Sequence, residues 1–545
     1  MAVITVNKFS GVSPMTPARY LGTNAAQTAL NCPVWLGSLQ PIRGASAITP
    51  SPLTKTGDIK SIYRFGQSET DEKKNWFHWT EEVDVVQGFV NADTTERTYY
   101  STGTGLPKVT DSSLALTGAG TNYPIASYDL GVPKPPSALS TAKTGTASPN
   151  TVAETRVYTY TYVNSWGEES APYSATDMTA STEDVYPGES VVVTLPTAPT
   201  GNYNVTKKRI YRSATGSASS SYFFVAELPV AQTTYTDSQD GDDLNEELPS
   251  LTWEQAPTGL KGLVGLPNGV MVGFKGNDIY FSEPYRPFAW PIQYMQTVGY
   301  PVVGIGVIDT TVVVLTKGRP YFIQGSHPDS MVMVEADVNQ ACISKRSIVS
   351  MNNYVFYASP DGLVGLSPGG SNVVTQSMFD KYTWQALNPN DLVGCMYENK
   401  YVGFLSTTSG NGGFIYDIAA KTWNFHNIYA TGGFNDLKHD SLYIIKGNEL
   451  WKWDTGAALN YVWKSKKFTF PEPKGFTCYR VQAETYPVTM KIYRDGTEIV
   501  NKSITSDSLN RLPSGIGTDW EFQLEGSTEV YNVQIAQSPM ELNAG

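Results

Sequence analysis

Histidine and cysteine, the residue types that most often act as bases, nucleophiles or metal ligands near neutral pH, are rare in this chain of 545 residues. The four histidines, His78, His327, His426 and His439, are far apart, and none lies within helical or hairpin reach of another. A catalytic triad or metal site would have to assemble from distant segments. We therefore interpret each histidine as a surface or packed residue.

The four cysteines, Cys32, Cys342, Cys395 and Cys478, show no metal-ligand or redox spacing, so we expect buried free thiols in a protein made in the cytosol. The sequence contains no nucleophile elbow, phosphate loop or zinc signature. It therefore predicts no catalytic, cofactor-binding or metal-binding residue and no enzyme, and it does not identify the residues of any interaction surface.

Two short motifs resemble ligand loops without meeting their requirements. Gly304–Asp309 begins like a dinucleotide loop, but the third glycine is absent and a strand follows, so we interpret it as part of a hairpin. The acidic run Asp237–Asp243 has a glycine at its fifth position, whereas a calcium loop of the EF-hand type needs it at the sixth. A solvated linker is the preferred interpretation of that run.

Aromatic clusters are the remaining candidates for binding. Trp76–Trp79 and the pair Trp451 and Trp453 would suit sugar-binding platforms if they were exposed. Alternate residues of a strand share one face, so Trp451 and Trp453 are equally able to fill the space between two sheets. We favour the core interpretation.

The elements that carry these residues are mainly strands. With Gly 48, Pro 34 and Tyr 33 and only 17% charged residues, the composition favours many short strands joined by tight turns. No run of about 18 apolar residues is present, so we expect no membrane insertion, and the N-terminus lacks the features of a signal peptide.

The chain repeats one phrase. Lys275–Tyr280 (KGNDIY) reappears as Lys446–Trp451 (KGNELW), and each copy follows a strand-like apolar run. A Gly-Asn pair between two strands is a hairpin signal. The echo predicts equivalent hairpins in a repeated architecture.

Residues 251–460 carry apolar runs and turns in units of about 40–45 residues, the spacing of β-propeller blades. We count about five units there, and residues 60–115 contain similar material for a sixth. The predicted fold is all-β: a propeller of about six blades. Residues 1–132 then form an N-terminal platform segment that contributes one blade.

Residues 133–250 read as an inserted β-sandwich of the immunoglobulin or fibronectin kind, entered through the proline-rich linker Pro133–Ser137. Strict alternation in Val157–Val163 places Tyr158, Tyr160 and Tyr162 on one face of a strand. Residues 461–545 are predicted to form a small C-terminal β domain with an Asp-Gly hairpin turn.

Charge is uneven along the chain. The net charge is −12, and the insertion, residues 133–250, carries 7 basic and 14 acidic side chains, a net of −7. No segment has the basic excess that tight nucleic-acid binding needs. The charge balance therefore excludes a strong nucleic-acid binder and favours a protein that acts through its surfaces.

Several phrases, in their order along the chain, resemble the tail nozzle (tail tubular) proteins of short-tailed bacteriophages. The resemblance covers most of the chain and rests on Trp35–Gly44, Tyr160–Pro172, Arg209–Ser213, Phe281–Pro291, Ala341–Ser347 and Tyr357–Leu363.

The resemblance implies a structural virion protein located in the tail and assembled in the host cytoplasm. It implies a homohexameric ring below the portal and its head-to-tail adaptor protein, transient non-specific passage of viral DNA during ejection, and attachment of tail fibre or spike proteins. An acidic or neutral channel wall would suit that role, because mild repulsion of phosphates reduces the friction of sliding DNA.

Two other functions remain open at this point. One is a carbohydrate- or cell-surface-binding β-propeller protein. The other is a propeller-based glycoside hydrolase, which needs a pair of carboxylates about 5–10 Å apart. The sequence contains many carboxylates but selects no such pair.

Overall fold

The computed structural model describes residues 3–34, 36–66, 69–89, 93–118, 120–173, 181–213, 221–244, 246–405 and 412–543. Over these residues the protein is all-β. The α-helices are single short turns, and no helix is long and apolar enough to cross a membrane. The helical segments are α-helices Ser112–Leu116 and Lys381–Gln385 and 3-10 turns Gly241–Asp243, Ile292–Tyr294, Pro328–Ser330, Lys345–Ser347, Pro389–Asp391 and Glu541–Asn543.

Seven small groups of antiparallel strands, counted over the described residues and called sheets 1 to 7, follow one another in a circle. The strands of sheet 6 also continue into a ten-stranded sheet with strands of the C-terminal unit. Each of the seven sheets begins with an inner strand, and the inner strands of consecutive sheets are in contact from sheet 2 round to sheet 7 and from sheet 7 to sheet 1. Sheet 1 contains Ser61–Arg64 and Trp76–Trp79, and sheet 2 contains Asp84–Gln87, Thr98–Ser101, Lys108–Thr110 and Tyr128–Asp129. Sheet 3 contains Lys261–Gly265, Met271–Lys275, Asp278–Phe281 and Gln296–Thr297, sheet 4 contains Val302–Ile308, Thr311–Thr316, Tyr321–Gln324 and Val332–Glu335, and sheet 5 contains Val349–Met351, Tyr354–Ser359, Gly362–Ser367 and Gly370–Val373. Sheet 6 contains Val393–Tyr397, Lys400–Phe404, Gly413–Asp417 and Thr422–His426, and sheet 7 contains Gly432–Asp436, Ser441–Lys446, Glu449–Lys452 and Ser46–Ala47.

Hydrophobic cores between consecutive sheets close this circle. Every neighbouring pair shares buried apolar side chains, including the pair of sheets 7 and 1, where Trp76 packs on Tyr443 with ring centroids 4.8 Å apart. Between sheets 1 and 2 the backbone N–H of Val83 donates to the Ser61 hydroxyl over 3.0 Å. The arrangement is β-propeller-like, because each sheet buries both of its faces against its neighbours.

The number of sheets differs from the expectation of about six. Residues 251–460 form five sheets, as many as the sequence analysis counts, but residues 60–115 form most of two sheets instead of one. Sheet 1 has two strands within the described part of the chain, so its pattern is too short to mark a separate unit. The fourth strand of sheet 7 is Ser46–Ala47, which pairs with Trp451 and Lys452 from the far end of the circle.

The insertion is a sandwich of two sheets whose tyrosines fill its core, as the alternation in Val157–Val163 predicts. Tyr158, Tyr160 and Tyr162 are all fully buried. One sheet contains Ser140–Gly145, Glu189–Thr194 and Thr234–Asp237; the other contains Thr182–Val185, Glu154–Asn164, Val205–Ser213 and Tyr222–Pro229.

The C-terminal β unit recruits strands from the opposite end of the chain. Val3–Val6 pairs with Val530–Ala536, and Ala26–Leu30 pairs with Tyr461–Ser465. Leu30 also bridges Phe425 of sheet 6, which joins this unit to the circle. Its other strands are Phe468–Lys474, Cys478–Ala483, Val488–Arg494, Thr497–Ile504, Asn510–Arg511 and Gly517–Gly526.

Candidate functional site

The centre of the circle, which we call the hub, is crossed by charged side chains at the mouth where the inner strands begin. Lys345 lies in the turn before sheet 5, and its Nζ is 2.8 Å from the Asp84 carboxylate of sheet 2. The same Asp84 oxygen accepts the Gly262 backbone N–H of sheet 3 over 2.8 Å. One carboxylate therefore connects three sheets around the hub.

Arg346, the next residue, spans the hub in another direction. Its guanidinium donates to the backbone oxygens of Thr431, before sheet 7, and of Lys60, before sheet 1. Burial lowers the pKa of Arg346 from its usual value. Because carbonyl oxygens receive these N–H groups, the side chain connects the starts of three inner strands. No carboxylate of the described residues forms an ion pair with it.

Three clefts open at this mouth and share Glu82 and Lys345 among their lining residues. Their volumes are about 620, 460 and 190 Å³. Basic residues outnumber acidic ones along the three walls. These basic residues are Lys60, Lys261, Lys275, Lys317, Lys345 and Arg346, and the acidic residues are Glu82, Asp84 and Asp391.

At the opposite mouth, where inner strands end, a cleft of about 310 Å³ contains an arginine–aspartate–histidine group. Arg64 Nη1 and His439 Nδ1 lie 2.9 and 2.8 Å from the same Oδ2 of Asp436. Arg64 and Asp436 are buried, so their ion pair ties sheet 1 to sheet 7. No sequence pattern groups these residues, because 372 positions separate Arg64 from Asp436.

The structure does not bring the four histidines together. His78 is fully buried: its Nδ1 lies 2.9 Å from the Trp76 carbonyl oxygen, and its Nε2 accepts the backbone N–H groups of Thr54 and Lys55 at 3.0 and 3.1 Å. Burial lowers the pKa of His78 to about 4. This histidine is a neutral, hydrogen-bonded core residue.

The other histidines have separate roles. His426 is buried between the rings of Phe404 and Trp453, and burial lowers its pKa to about 4. His327 lies at the surface, with Nδ1 2.7 Å from Asp329. Only His439 therefore lines a cleft together with a carboxylate among the clefts described here.

The cysteines are free and buried, as expected. Burial raises the pKa of Cys342 and Cys395 to about 12 and that of Cys32 further, so these thiols are protonated near neutral pH. No group of three or more His, Cys, Asp or Glu side chains suited to a metal ion occurs within the described residues.

Burial confirms the core interpretation for Trp76 and Phe77, which are fully buried, and for Trp79 and Trp453, which are nearly so. Trp451 is half-buried and packs against the edge of the core that contains Trp453. The residues of Gly304–Asp309 enter the predicted hairpin. The linker interpretation of the acidic run is wrong for Asp237.

Asp237 ends a strand of the insertion and is fully buried. It accepts the Tyr158 hydroxyl over 2.7 Å and lies 3.3 Å from Arg212 and 3.9 Å from Arg156. A buried carboxylate is stable when positive charges and donors surround it. Two arginines distant in sequence supply that environment, which the local acidic pattern did not reveal.

A polar and aromatic junction around Arg97 attaches the insertion to the circle. Arg97 of the circle lies 3.1 Å from Glu168 of the insertion and 2.8 Å from Asp93, and its guanidinium stacks over Trp166 at 5.8 Å. Trp166 packs edge-on against Tyr128 at 5.6 Å. Both charged partners are largely buried, so the two modules are held in one orientation.

A second set of contacts forms where the chain leaves the insertion. The Trp253 carbonyl accepts the Ala171 N–H over 3.0 Å, and Arg286 stacks over the Trp253 ring at 4.7 Å. Trp290, buried below, donates to the Pro287 carbonyl over 2.8 Å. Apart from Trp253, these residues come from two of the phrases that resemble nozzle proteins, Tyr160–Pro172 and Phe281–Pro291.

Four of the six phrases that resemble nozzle proteins therefore lie at contacts between modules or between sheets of the circle. Tyr160–Pro172 and Phe281–Pro291 form the insertion junction, and Ala341–Ser347 contains the hub residues Lys345 and Arg346. From the first phrase, Leu39 pairs with Val530 and joins the N-terminal segment to the C-terminal unit. Trp35, which begins that phrase, lies outside the described residues.

Comparisons with known proteins add little. No family model matches the chain, and no curated protein is similar in sequence. Among solved structures, the Pan2 WD40 domain of Neurospora crassa has 7% identity and a TM-score of 0.28, covering 76% of this chain and 94% of its own. PorZ, a surface component of the type-IX secretion system of Porphyromonas gingivalis, has 10% identity and a TM-score of 0.25, covering 94% of this chain and 86% of its own.

Proposed function

We propose that this chain is a structural subunit of the tail nozzle of a short-tailed bacteriophage. In this proposal six copies form a ring below the portal and its adaptor protein. The ring surrounds the DNA ejection channel and carries tail fibres or spikes. The phrases that resemble nozzle proteins support the assignment, and we further propose that the seven sheets are propeller blades that serve as the wall of the ring.

The observation that carries the proposal is the fixed junction between the insertion and the circle. The contacts of Arg97, Glu168 and Trp166 hold an acidic sandwich at the rim of sheet 2 in a set direction. A ring subunit must present the same surface to its neighbour in every copy, and a heterologous contact closes into a ring only at one angle. Rigid attachment of a projecting module meets that requirement.

The hub of a single copy does not suit DNA passage. The clefts at its mouth measure about 620, 460 and 190 Å³, and Lys345 and Arg346 cross the hub. The major groove of B-DNA alone is about 12 Å wide, so a duplex needs a much larger opening. We therefore assign the channel to the space between copies, lined by neutral or acidic surface.

Particle images of the purified full chain, alone and with the adaptor complex, test the proposal. We expect a six-fold ring with an axial hole, at least when the adaptor is present. Monomers in both samples would contradict it. A channel wall covered with exposed Lys and Arg in the assembled ring would reject the acidic-wall hypothesis while leaving the ring itself intact.

Two variants test the role of the insertion. Deletion of residues 137–248 should leave a folded circle but impair ring assembly. Trp166→Ala should keep the sandwich folded and loosen its attachment, because the Tyr128 and Arg97 contacts are lost. Normal assembly of both variants would show that the insertion is not an assembly contact.

Carbohydrate binding is a second candidate, favoured by one cleft. This cleft of about 730 Å³ between sheets 5 and 6 places the partly exposed Tyr354 ring near Asn372 and Gln376. An aromatic ring beside amides is a suitable surface for a sugar, which needs an apolar face and hydrogen bonds. Glycan-array binding that Tyr354→Ala abolishes would support this function, and an array without signal would remove it.

A further inference from the structure

Three lysines converge on the 620 Å³ cleft at the mouth where the inner strands begin. Lys261 begins the first strand of sheet 3, Lys275 ends its second strand, and Lys317 follows the second strand of sheet 4. All three are exposed. Their gathering is a product of the fold, because the two sheets place separate hairpin ends around one opening.

These lysines are not neutralised by the acidic residues of the cleft. None of the three forms an ion pair with a carboxylate among the described residues, whereas Asp84 is already bound by Lys345 and the Gly262 N–H. Glu82 is the remaining acidic residue in the lining. Like charges at one opening repel each other, and a multivalent anion between them removes that repulsion.

The backbone around the cleft is shaped to direct one of these lysines. Gly103 has a φ of +75°, and a Cβ there would lie 2.6 Å from Cε of Lys261. The bare glycine lets the aliphatic part of Lys261 pass across the loop. Gly103, Gly259 and Gly276 all line the cleft, so its wall includes backbone that a ligand can approach closely.

We propose that this cleft binds an oligophosphate chain, either free or as the phosphate chain of a nucleoside triphosphate. Lysine is a common point-charge ligand of phosphate groups, and three of them match the several charges of such a chain. A volume of about 620 Å³ lies within the range of small-molecule sites. The cleft lies within one copy of the chain, so binding does not depend on ring assembly.

Calorimetry with inorganic tripolyphosphate and with ATP, on the full chain at low and moderate salt, tests the site. We expect saturable binding of tripolyphosphate that weakens as salt rises. Equal affinity for ATP would show that the phosphates alone are recognised, and tighter ATP binding would show contacts to the nucleoside as well. If neither tripolyphosphate nor ATP binds, the proposal is wrong. It is also wrong if the chain binds duplex DNA but neither of these compounds.

Charge-neutralising variants locate the ligand. Lys261→Gln, Lys275→Gln and Lys317→Gln should each weaken tripolyphosphate binding roughly fivefold, and the triple variant should abolish it. The matched control is Lys438→Gln, an exposed lysine at the opposite mouth, which should bind normally. Because all these side chains are exposed, folding is retained. Undiminished binding by the triple variant would exclude this cleft.

Gly103→Ala supplies a test that keeps every charge. The added methyl group displaces the stem of Lys261, so binding should weaken by a factor similar to that of Lys261→Gln. Combining the two substitutions should produce little further loss, since both act on the same ammonium group. Fully additive losses would show that Gly103 does not act through Lys261.

Discussion

The two copies of the KGN phrase form the same hairpin at the same place in two sheets and differ in what surrounds them. Each copy joins the second and third strands, of sheet 3 in one case and sheet 7 in the other, with Lys275 opposite Asp278 and Lys446 opposite Glu449. The repeated phrase predicts equivalent hairpins, and the strand pairing confirms this. We call them hairpin 3 and hairpin 7.

The turns differ in backbone conformation and in asparagine contacts. In hairpin 3 only Gly276 has a positive φ, +64°, and the Asn277 amide donates to the Val298 carbonyl over 3.1 Å. In hairpin 7 both Gly447 and Asn448 have positive φ, +58° and +64°, as in a type I′ turn. The Asn448 oxygen accepts the Ile59 N–H over 2.9 Å and so binds the segment that enters sheet 1.

The lysines differ as well. Lys446 lies over the Trp451 ring, with Nζ 4.6 Å from its centroid, whereas Lys275 faces the basic cleft. The repeated phrase therefore specifies a hairpin, whereas the surrounding residues determine whether its lysine packs against a ring, as Lys446 does, or faces a cleft, as Lys275 does.

The largest expected effect tests whether the hairpins are equivalent in the core. Ile279 and Leu450 are both fully buried, each in the core next to its hairpin. Ile279→Ala and Leu450→Ala should each lower the free energy of unfolding by about 2–5 kcal/mol, because each creates a cavity. Denaturant unfolding followed by hydrogen exchange would measure this. If only one of the two variants loses stability, only the core next to that hairpin contributes to the stability of the circle.

The next largest effect is a difference in acid sensitivity between the region of hairpin 7 and the region of hairpin 3. His78 lies in sheet 1, which packs against sheet 7, and its folded pKa of about 4 is below the ordinary 6.5. The unfolded chain therefore binds the proton more readily, so stability is present above pH 6.5 and is lost as pH falls towards 4, by up to about 3 kcal/mol.

Hydrogen exchange measured between pH 7 and 4.5 would check this locally. Protection of sheet 1 should fall with acid in the native chain and less so in His78→Gln. Protection of sheet 3 should change less with pH, because the nearby histidine, His327, lies at the surface and not in a core. An identical pH profile in His78→Gln would show that this histidine does not cause the acid sensitivity of sheet 1.

A smaller difference should come from the asparagines. Asn448→Ala leaves the Ile59 N–H without its acceptor and places alanine at a φ of +64°, so we expect a loss of about 2 kcal/mol. Asn277→Ala should lower the free energy of unfolding by about 1 kcal/mol, because it removes one hydrogen-bond donor and introduces no backbone strain.

Asn448→Gly separates the two causes in hairpin 7. Glycine accepts the positive φ but cannot replace the side-chain oxygen, so this variant should be more stable than Asn448→Ala and less stable than the native chain. Thermal unfolding midpoints of the variants would rank them. Equal unfolding midpoints for Asn277→Ala and Asn448→Ala would contradict the predicted energetic difference between the two turns.

The smallest effect should be the same in both hairpins. Gly276 and Gly447 have positive φ, and a Cβ at either position would meet no atom within 4 Å. Gly276→Ala and Gly447→Ala should therefore each cost about 1 kcal/mol through backbone strain alone. A much larger loss in one of them would reveal a contact specific to that turn.

Local patterns were predictable because their causes lie within a few residues. Gly-Asn pairs indicated the hairpins, and alternation placed Tyr158, Tyr160 and Tyr162 in one buried core. The candidate site was less accessible to sequence analysis. Lys261, Lys275 and Lys317 carry no motif, and only the side-by-side packing of sheets 3 and 4 gathers them.

Local sequence was sufficient to predict the all-β class, the repeated hairpins, the sandwich insertion and the burial of its tyrosines, because turn residues and side-chain alternation act over a few positions. The tertiary structure alone decided the seventh sheet, the pairing of Ser46–Ala47 with sheet 7, and the joining of both chain ends in one β unit. It also decided which lysine of the repeated phrase faces a cleft and which lies over a tryptophan. These outcomes depend on contacts between residues hundreds of positions apart, whose energies appear only when the circle closes.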